Sequence, residues 1–379
     1  MKNIVKALIP VAFALSVLTG CGGGGDATDF QDTFGTADPT PESISFSDDP
    51  LNNREWHFLK DPAYFYMHGI DENASINAGK YSNFTYTGSG VRVAILDTSF
   101  DVSHPDIAEG IAHTYDATND DDNVSPSDGN DTHGTLVAGI LGARLNNNEG
   151  GVGVAPDSEL ILIQGTIGTN ISSLDIIKAF DDANSSGADI INCSWVASHI
   201  SDSVRNKIID LAKNGRDGKG TIIVFSIGND NARIDDGAVA AIPEVITVGA
   251  TNKYNTRTEY SNYGEALDVM APGGEYMGIV STDLVGNDGY ADNSAEDPDY
   301  SYTGNSKIFI GTSAAASIVS GVTTLMLQAN PDLTAAQVQQ ILKDTADKIG
   351  EKEYVNGHND YYGYGKINME RAIDAALEM

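Results

Sequence analysis

Short apolar runs alternate along the chain with stretches whose apolar residues recur at helical spacing. The apolar runs predict buried β-strands, and we place these at residues 91–96, 159–163, 190–194, 221–226 and 245–248. Residues 172–186 and 202–214, which lie between strands, have the spacing of amphipathic helices. The order strand, helix, strand predicts an α/β fold, in which helices cover both faces of a parallel sheet.

Two further helices are predicted in the last part of the chain. One starts near Ser313, and the other covers residues 334–348, with Pro331 just upstream of its start. Functional residues of parallel sheets collect where strands end and loops begin. The polar residues at those places are therefore the first candidates for chemistry.

The first twenty residues have the layout of an export signal. Lys2 and Lys6 precede an apolar run at residues 9–18 that is too short to span a bilayer as a permanent helix. The run ends in Leu18-Thr19-Gly20-Cys21, which resembles a bacterial lipoprotein signal. We predict a signal peptide at residues 1–20 and lipidation of Cys21; an ordinary signal peptide with a chance cysteine is the alternative.

Residues 21–45 are rich in Gly, Asp, Thr, Pro and Ser, which indicates a flexible tether. We expect one domain at residues 46–379. The protein is then held by lipid in a bacterial cell envelope, on the periplasmic or surface face of an outer membrane. Acylation of Cys21 would leave Cys193 without a disulfide partner, and its apolar setting predicts a buried thiol.

The net charge of −32 excludes one class of partner. Nucleic acid binding needs clustered Lys and Arg, so no nucleic acid is expected. A strongly acidic chain favours solubility and cation binding.

Four polar motifs stand at the edges of apolar runs. Asp97 closes the first strand, where an acid can serve a metal, a ribose or a helix cap. His133 starts an apolar, small-residue helix in which Gly134 and Gly139 allow close backbone approach. Alone, each of these residues is more often structural than catalytic.

The other two motifs are equally ambiguous alone. Ser313, in Gly311-Thr312-Ser313-Ala314, could cap a helix or react at its positive end. Asn229 follows a buried strand and could form a turn or donate to an oxyanion.

Together the motifs resemble those of the subtilisin-like serine proteases, from about Asp49 to the end of the chain. The resemblance implies a Ser-His-Asp triad in an α/β fold. Asp97 would orient His133, which would accept the Ser313 proton. Asn229 and the Ser313 backbone N–H would bind the oxyanion, and polypeptides would be the substrates.

Within this family, the chain most resembles the kexin-like processing proteases. The residues that carry this resemblance are 49–57, 192–195, 215–220 and 311–316. It implies that Ser194 and Trp195 belong to the strand that pairs with an extended substrate. Asp235 stands where these enzymes place an acid of the pocket for P1, the residue whose carbonyl is attacked. We therefore predict a preference for Arg or Lys at P1.

Several positions depart from the family pattern. Ser99 replaces a usual Gly, Ser317 replaces a usual Pro, and Val196 follows Ser194-Trp195 where kexin-like enzymes have Gly. Thr98 stands where a basic P2 pocket would need a second acid. We also expect neither an inhibitory pro-domain nor a β-domain, so that folding is unaided or needs a separate chaperone, and we expect a monomer.

The same resemblance implies a structural Ca²⁺ site. Asp49 and Asp106 would supply carboxylates and Asn147 an amide oxygen. Backbone carbonyls would come from Leu145, Glu149 and Gly151. Six or more oxygens of mixed type suit Ca²⁺.

Two other functions compete with a protease. A catalytically inactive member of the same fold could act as a surface binding module, although inactive members normally lose a catalytic residue. A dinucleotide-binding or flavodoxin-type protein fits the fold but lacks a Gly-x-Gly-x-x-Gly turn after the first strand.

Overall fold

The computed structural model describes residues 41–165, 172–286, 288–291, 297–305 and 307–379. The predicted signal peptide, Cys21 and most of the predicted tether lie outside these ranges. Among the described residues, no helix is both long enough and apolar enough to cross a membrane.

A seven-stranded sheet forms the centre of the described chain, and all of its neighbouring strands are parallel. The strands are β1 Arg92–Asp97, β2 Ile111–Asp116, β3 Glu159–Gln164, β4 Ile190–Cys193, β5 Ile222–Ser226, β6 Ile246–Thr251 and β7 Val269–Pro272. The five predicted strands are confirmed to within three residues at each end. A short antiparallel pair, β8 Ser281–Thr282 and β9 Tyr300–Ser301, lies outside this sheet.

Two strands of the sheet escaped prediction for different reasons. Strand β2 is an edge strand whose residues are mostly half-buried, so its sequence, IAHTYD, shows no apolar run. Strand β7 has only four residues, although all of them are buried.

Eight α-helices complete the described fold: α1 Pro62–His68, α2 Pro105–Ala108, α3 His133–Gly142, α4 Ser173–Ser185, α5 Asp202–Asn214, α6 Thr312–Ala329, α7 Ala335–Thr345 and α8 Met369–Glu378. The predicted helices correspond to α3, α4, α5, α6 and α7. Helix α7 starts with a capping box formed by Thr334 and Gln337. Capping of this kind fixes where the helix begins.

Helices cover both faces of the sheet, as the sequence predicted. In β1, Val93 and Ile95 pack into one core with α3 and α6, while Ala94 and Leu96 pack into the other with α4 and α5. Because successive strand residues point to opposite faces, both sets must be apolar. This explains why the central strands have continuous apolar sequences.

The carboxyl ends of the strands meet at one edge of the sheet. The strand order is β2-β3-β1-β4-β5-β6-β7. Asp97 closes β1, Ser194 follows β4, and Asn229 lies three residues beyond β5. The fold therefore brings these three predicted site residues to the same edge of the sheet.

Candidate active site

A short hydrogen bond joins Asp97 to His133. Asp97 is fully buried at the end of β1, and its Oδ1 lies 2.6 Å from His133 Nδ1. The Thr98 N–H donates to the same oxygen at 2.7 Å. His133 opens α3, and the Cβ of any other residue at Gly134 would lie 2.3 Å from the Ser99 carbonyl oxygen. The predicted close approach at Gly134 is thus present.

Two opposing effects act on the pKa of His133. Burial lowers it, but the charge and hydrogen bond of Asp97 raise it more, so the pKa lies above its usual value of 6.5. The imidazole also packs edge-to-face on Phe309, with ring centroids 5.7 Å apart. Phe309 was not predicted as a site residue, because an apolar residue shortly before Ser313 gives no signal in the sequence.

Ser313 is the second residue of α6 and is only 7% exposed. Its hydroxyl does not cap the helix, because Gly311 is the N-cap residue, with φ of 144°. The Ser313 Oγ donates instead to the Ser194 backbone carbonyl at 2.9 Å. The backbone N–H of Ser313 lies in the first turn of α6, where N–H groups have no partner inside the helix.

Asn229 is oriented by Thr312, the residue before Ser313. The Asn229 Oδ1 accepts from the Thr312 N–H at 3.0 Å and from the Thr312 Oγ1 at 2.9 Å. Both donors fix which end of the amide is oxygen. The Nδ2 donor is left facing the Gly311–Ser313 turn, since a Cβ placed on Gly311 would lie 3.3 Å from it. Sequence reasoning missed the part that Thr312 plays.

A buried polar chain connects α6 to the end of β4. Ser320 donates to Asn192, Asn192 donates to the Ser194 Oγ, and the Ser194 Oγ donates to the Ser313 carbonyl, at 2.9, 3.0 and 3.0 Å. Ser317 also donates to the Ser313 carbonyl, at 3.0 Å. These bonds fix α6 against the segment that follows β4.

The two serines that depart from the family pattern, Ser99 and Ser317, each have a hydrogen-bond acceptor for the hydroxyl. Ser99 donates to the Asp131 carbonyl at 2.9 Å, so it ties the loop after β1 to the start of α3. The Ser317 hydroxyl donates within α6, to the Ser313 carbonyl.

A cavity of about 170 Å³ lies between the loops that follow β4 and β5. Asp235 lines it, together with Val196, Asp230 and Arg233. The Arg233 guanidinium is paired with Asp360. Asp230 and Arg233 were not predicted, because no motif singles out either residue.

Trp195 contributes little surface to this cavity. Its side chain is 6% exposed and packs in the core against Phe225, with ring centroids 5.1 Å apart. Its backbone carbonyl accepts from Ser226 Oγ at 3.3 Å. A role for Trp195 in substrate binding would therefore depend on its backbone, in the segment that follows β4.

Asp49, Asp106 and Asn147 come together beyond the C-terminal end of α3. The N–H groups of Asn146 and Asn147 donate to Asp49 at 2.9 and 3.0 Å. Asn147 Nδ2 donates to Asp106 Oδ1 at 3.0 Å, and Asn147 Oδ1 accepts from the Glu149 N–H at 2.9 Å. Asp106 Oδ2 is buried with no hydrogen-bond partner among the described residues. Burial raises the pKa of Asp106 to about 7.

No hydrogen-bond donor from the described residues reaches the carbonyl oxygens of Leu145, Glu149 and Gly151. Within the described ranges, no group of three or more His, Cys, Asp or Glu side chains could hold a metal. The predicted calcium site contains two carboxylates and stays a prediction.

Cys193 is a free, fully buried thiol, as predicted. Burial raises its pKa well above the usual value, and the charge of Asp97 adds to the effect. A thiol in this state is a poor nucleophile.

Comparison with protein families gives a match to the subtilase family, peptidase family S8, over residues 88–365. A calcium-dependent protease of a Nostoc species is 33% identical over 318 residues, which cover 76% of this chain but only 47% of that protein. Subtilisin E of Bacillus subtilis is 32% identical over 324 residues, covering 84% of this chain and 74% of the relative. The chain thus spans about half the length of the first of these relatives.

Solved structures show the same architecture. A protease from Pseudoalteromonas arctica is 28% identical with a TM-score of 0.70, covering 88% of this chain and 100% of that one. A serine protease of Aeromonas sobria, solved in complex with a chaperone, has a TM-score of 0.75, covering 88% of this chain and 68% of its own, at 21% identity. The second likeness bears on the fold alone.

Proposed function

The chain belongs to the subtilase family, and on that premise we propose that it is a serine endopeptidase that hydrolyses polypeptides through Ser313, His133 and Asp97. The single observation that carries the proposal is the Asp97–His133 hydrogen bond of 2.6 Å, formed at the same edge of the sheet at which Ser313 Oγ meets the Ser194 carbonyl. An inactive binding module would have no need of this buried, charged arrangement.

The first step forms an acyl-enzyme. When substrate binds, the Ser313 hydroxyl turns from the Ser194 carbonyl to His133 Nε2, which takes its proton as Oγ attacks the scissile carbonyl carbon. Asp97 holds Nδ1–H and stabilises the imidazolium. His133 then gives the proton to the leaving amine as the C–N bond breaks. Water, deprotonated by His133, releases the acid and restores Ser313.

The oxyanion is stabilised by two donors. The Asn229 Nδ2 is free for this purpose because Thr312 occupies the amide oxygen. The Ser313 backbone N–H is the second donor, at the positive end of α6. Both are in place before the charge develops, which is what lowers the barrier.

The activity is tested by hydrolysis of an unfolded protein such as casein. Wild type should hydrolyse it, and Ser313→Ala should lose nearly all activity. Ser203→Ala is the matched control, because Ser203 is an exposed serine on α5. Equal rates for Ser313→Ala and wild type would contradict the proposal.

We further propose that the cavity beside Asp235 receives a basic P1 side chain. Asp230 and Asp235 give it two carboxylates, and Arg233 is already paired with Asp360. A cavity of about 170 Å³ holds a long side chain. The narrower kexin-like assignment stays a prediction, because it depends on sequence motifs alone.

We also propose a structural Ca²⁺ held by Asp49, Asp106, Asn147 and the carbonyls of Leu145, Glu149 and Gly151. The proposal is supported by Asp106 Oδ2, a buried carboxylate oxygen without a hydrogen-bond partner in the described chain. The Asn147 amide would have to rotate to present its oxygen, because its Nδ2 faces Asp106. Hard oxygen donors of mixed type suit this cation. Ca²⁺ would neutralise the two carboxylates, and the site takes no part in the proton transfers.

Export and lipidation of Cys21 are likewise proposed from the sequence. Mass spectrometry of the protein from the producing cell tests them, since a diacylglyceryl group on an N-terminal Cys21 is expected. A separate folding chaperone stays a prediction; recovery of full activity by the mature chain refolded alone would argue against it.

A further inference from the structure

Two exposed tyrosines form a pair near the site. Tyr254 is 52% exposed and Tyr276 is 61% exposed, and their ring centroids lie 6.2 Å apart at an interplanar angle of 55°. Tyr254 follows β6 and Tyr276 follows β7. Because the strands are parallel, both tyrosines lie at the edge of the sheet that carries Asn229.

This aromatic pair is continuous with the turn that carries the nucleophile. The Gly311 N–H donates to the Gly273 carbonyl at 2.8 Å. A Cβ on Gly274 would lie 3.0 Å from a methyl carbon of Ile310, which is 37% exposed. Ile310 lies three positions before Ser313, and Gly274 lies two positions before Tyr276. The contact between Ile310 and Gly274 therefore links the Ser313 turn to the aromatic pair.

The two loops are held in place by hydrogen bonds. Tyr260 Oη lies within hydrogen-bond distance of the carbonyls of Gly273 and Gly274, at 2.9 and 2.6 Å, and its one proton is shared between them. The Glu275 carboxylate accepts from Asn252 Nδ2 at 2.7 Å and from the Glu259 N–H at 2.8 Å. Both rings are thus presented to solvent on a preorganised base, which reduces the entropic cost of binding.

The pair lies in a negative field. The charges of Glu275 and Glu259 raise the pKa of the Tyr276 hydroxyl. The Lys253 ammonium lies 5.0 Å from the centroid of the Tyr254 ring, so this pair already contacts one cation. Aromatic faces beside carboxylates favour cationic side chains, arginine most of all.

The strand order tells which part of a substrate reaches the pair. Ser194 follows β4, Asn229 follows β5, and the tyrosines follow β6 and β7. The P1 cavity lies between the β4 and β5 loops, so the acyl half of a substrate ends there. The half that leaves as the amine continues past Asn229 toward β6 and β7.

We propose that Tyr254 and Tyr276 bind an arginine or lysine side chain in the leaving half of the substrate, an inference that rests on the proposed protease function. The guanidinium or ammonium group would lie on the Tyr276 ring and the open face of Tyr254. Ile310 would contact the residues between this cation and the scissile bond.

Two internally quenched peptides that share the same acyl half and differ in the leaving half test the proposal. One leaving half carries Arg at its second to fourth positions, and the other carries Leu. Wild type should cleave the Arg peptide with a kcat/KM about three- to ten-fold above that of the Leu peptide, as expected for cation–π contacts. Tyr276→Ala should bring this ratio close to one, and Tyr276→Phe should restore most of it.

Tyr66→Ala is the matched control, because Tyr66 is 62% exposed on α1, and it should keep the wild-type ratio. A ratio that Tyr276→Ala leaves unchanged, or a wild-type preference for Leu, would overturn the proposal. Binding of the Arg-containing leaving half to Ser313→Ala, with and without Tyr276→Ala, needs no catalysis. If binding depends on Tyr276 but wild type does not hydrolyse the peptide, the result would contradict the protease function and support the binding site at Tyr254 and Tyr276.

Discussion

The Ser313 hydroxyl donates its hydrogen bond to the Ser194 backbone carbonyl, at 2.9 Å. A hydroxyl has one proton to donate, so in this state Ser313 does not donate to His133. Ser194 opens the segment assigned to substrate pairing. A substrate N–H that donates to the Ser194 carbonyl would replace the Ser313 hydroxyl there. The Ser313 proton would then be available to His133. Substrate binding and nucleophile activation are thereby coupled.

Replacement of Asp97 should change the pH profile as well as the rate. His133 must be neutral to accept a proton, and its pKa lies above 6.5 because Asp97 stabilises the imidazolium. The wild-type kcat/KM should therefore fall as the pH drops through a midpoint above 6.5. Asp97→Asn should move this midpoint down and lower kcat by about 10⁴-fold. A midpoint that stays in place would contradict the role of Asp97.

The Asn229 amide should act in the transition state and not in substrate binding. Asn229→Ala should lower kcat with little change in KM, at a cost of about 3–4 kcal/mol, the range known for the oxyanion-hole amide of a subtilisin. Thr312→Val should lose part of kcat, because the amide loses one of its two fixing donors. Thr312→Ser keeps that hydroxyl and should recover most of kcat. Equal losses in Val and Ser variants would show that the hydroxyl has no part.

Removal of Ca²⁺ should lower thermal stability. At a free Ca²⁺ concentration about 100 times Kd, the bound ion adds about 2.7 kcal/mol to the free energy of unfolding. For a domain of about 330 residues, with an unfolding entropy of about 0.7 kcal/mol/K, that corresponds to a Tm shift of about 4 °C. Asp106→Asn should abolish the shift between Ca²⁺ and chelator in calorimetry, whereas Asp157→Asn, an exposed acid, should keep it. An equal shift in Asp106→Asn would place the ion elsewhere.

Asp235 should set the preference at P1. Asp235→Asn removes a carboxylate from the cavity and should lower kcat/KM for Arg at P1 by about ten-fold relative to Leu. Asp236→Asn is the control, because Asp236 is next in sequence but does not line this cavity. A library of P1-varied peptides measures both ratios, and an unchanged Arg preference in Asp235→Asn would refute the assignment.

The fold could be predicted from the sequence because its central strands are buried on both faces. That burial demands continuous apolar runs such as the one ending at Asp97. Strand β2 is half-exposed, so no such demand acts on it. Each polar motif at a strand end or helix start could likewise be located, since its position follows from the elements beside it.

The contacts that orient the site residues could not be predicted. Ser313 and Ser194 are 119 residues apart, and Thr312 and Asn229 are 83 apart. Their pairing depends on how α6 packs across the sheet. Phe309 reaches His133 through the same packing. Such contacts are properties of the tertiary fold, and nothing in the local sequence pattern marks them.

Reaction with a fluorophosphonate tests the central claim most directly, because it requires an activated serine and no substrate specificity. Mass spectrometry of the intact wild-type protein should show one phosphonyl group per chain, and peptide mapping should place it on Ser313. His133→Ala should slow the labelling strongly, while Ser203→Ala should label like wild type. Folded wild-type protein that stays unlabelled, or that carries the group on another residue, would contradict the assignment of Ser313 as the nucleophile.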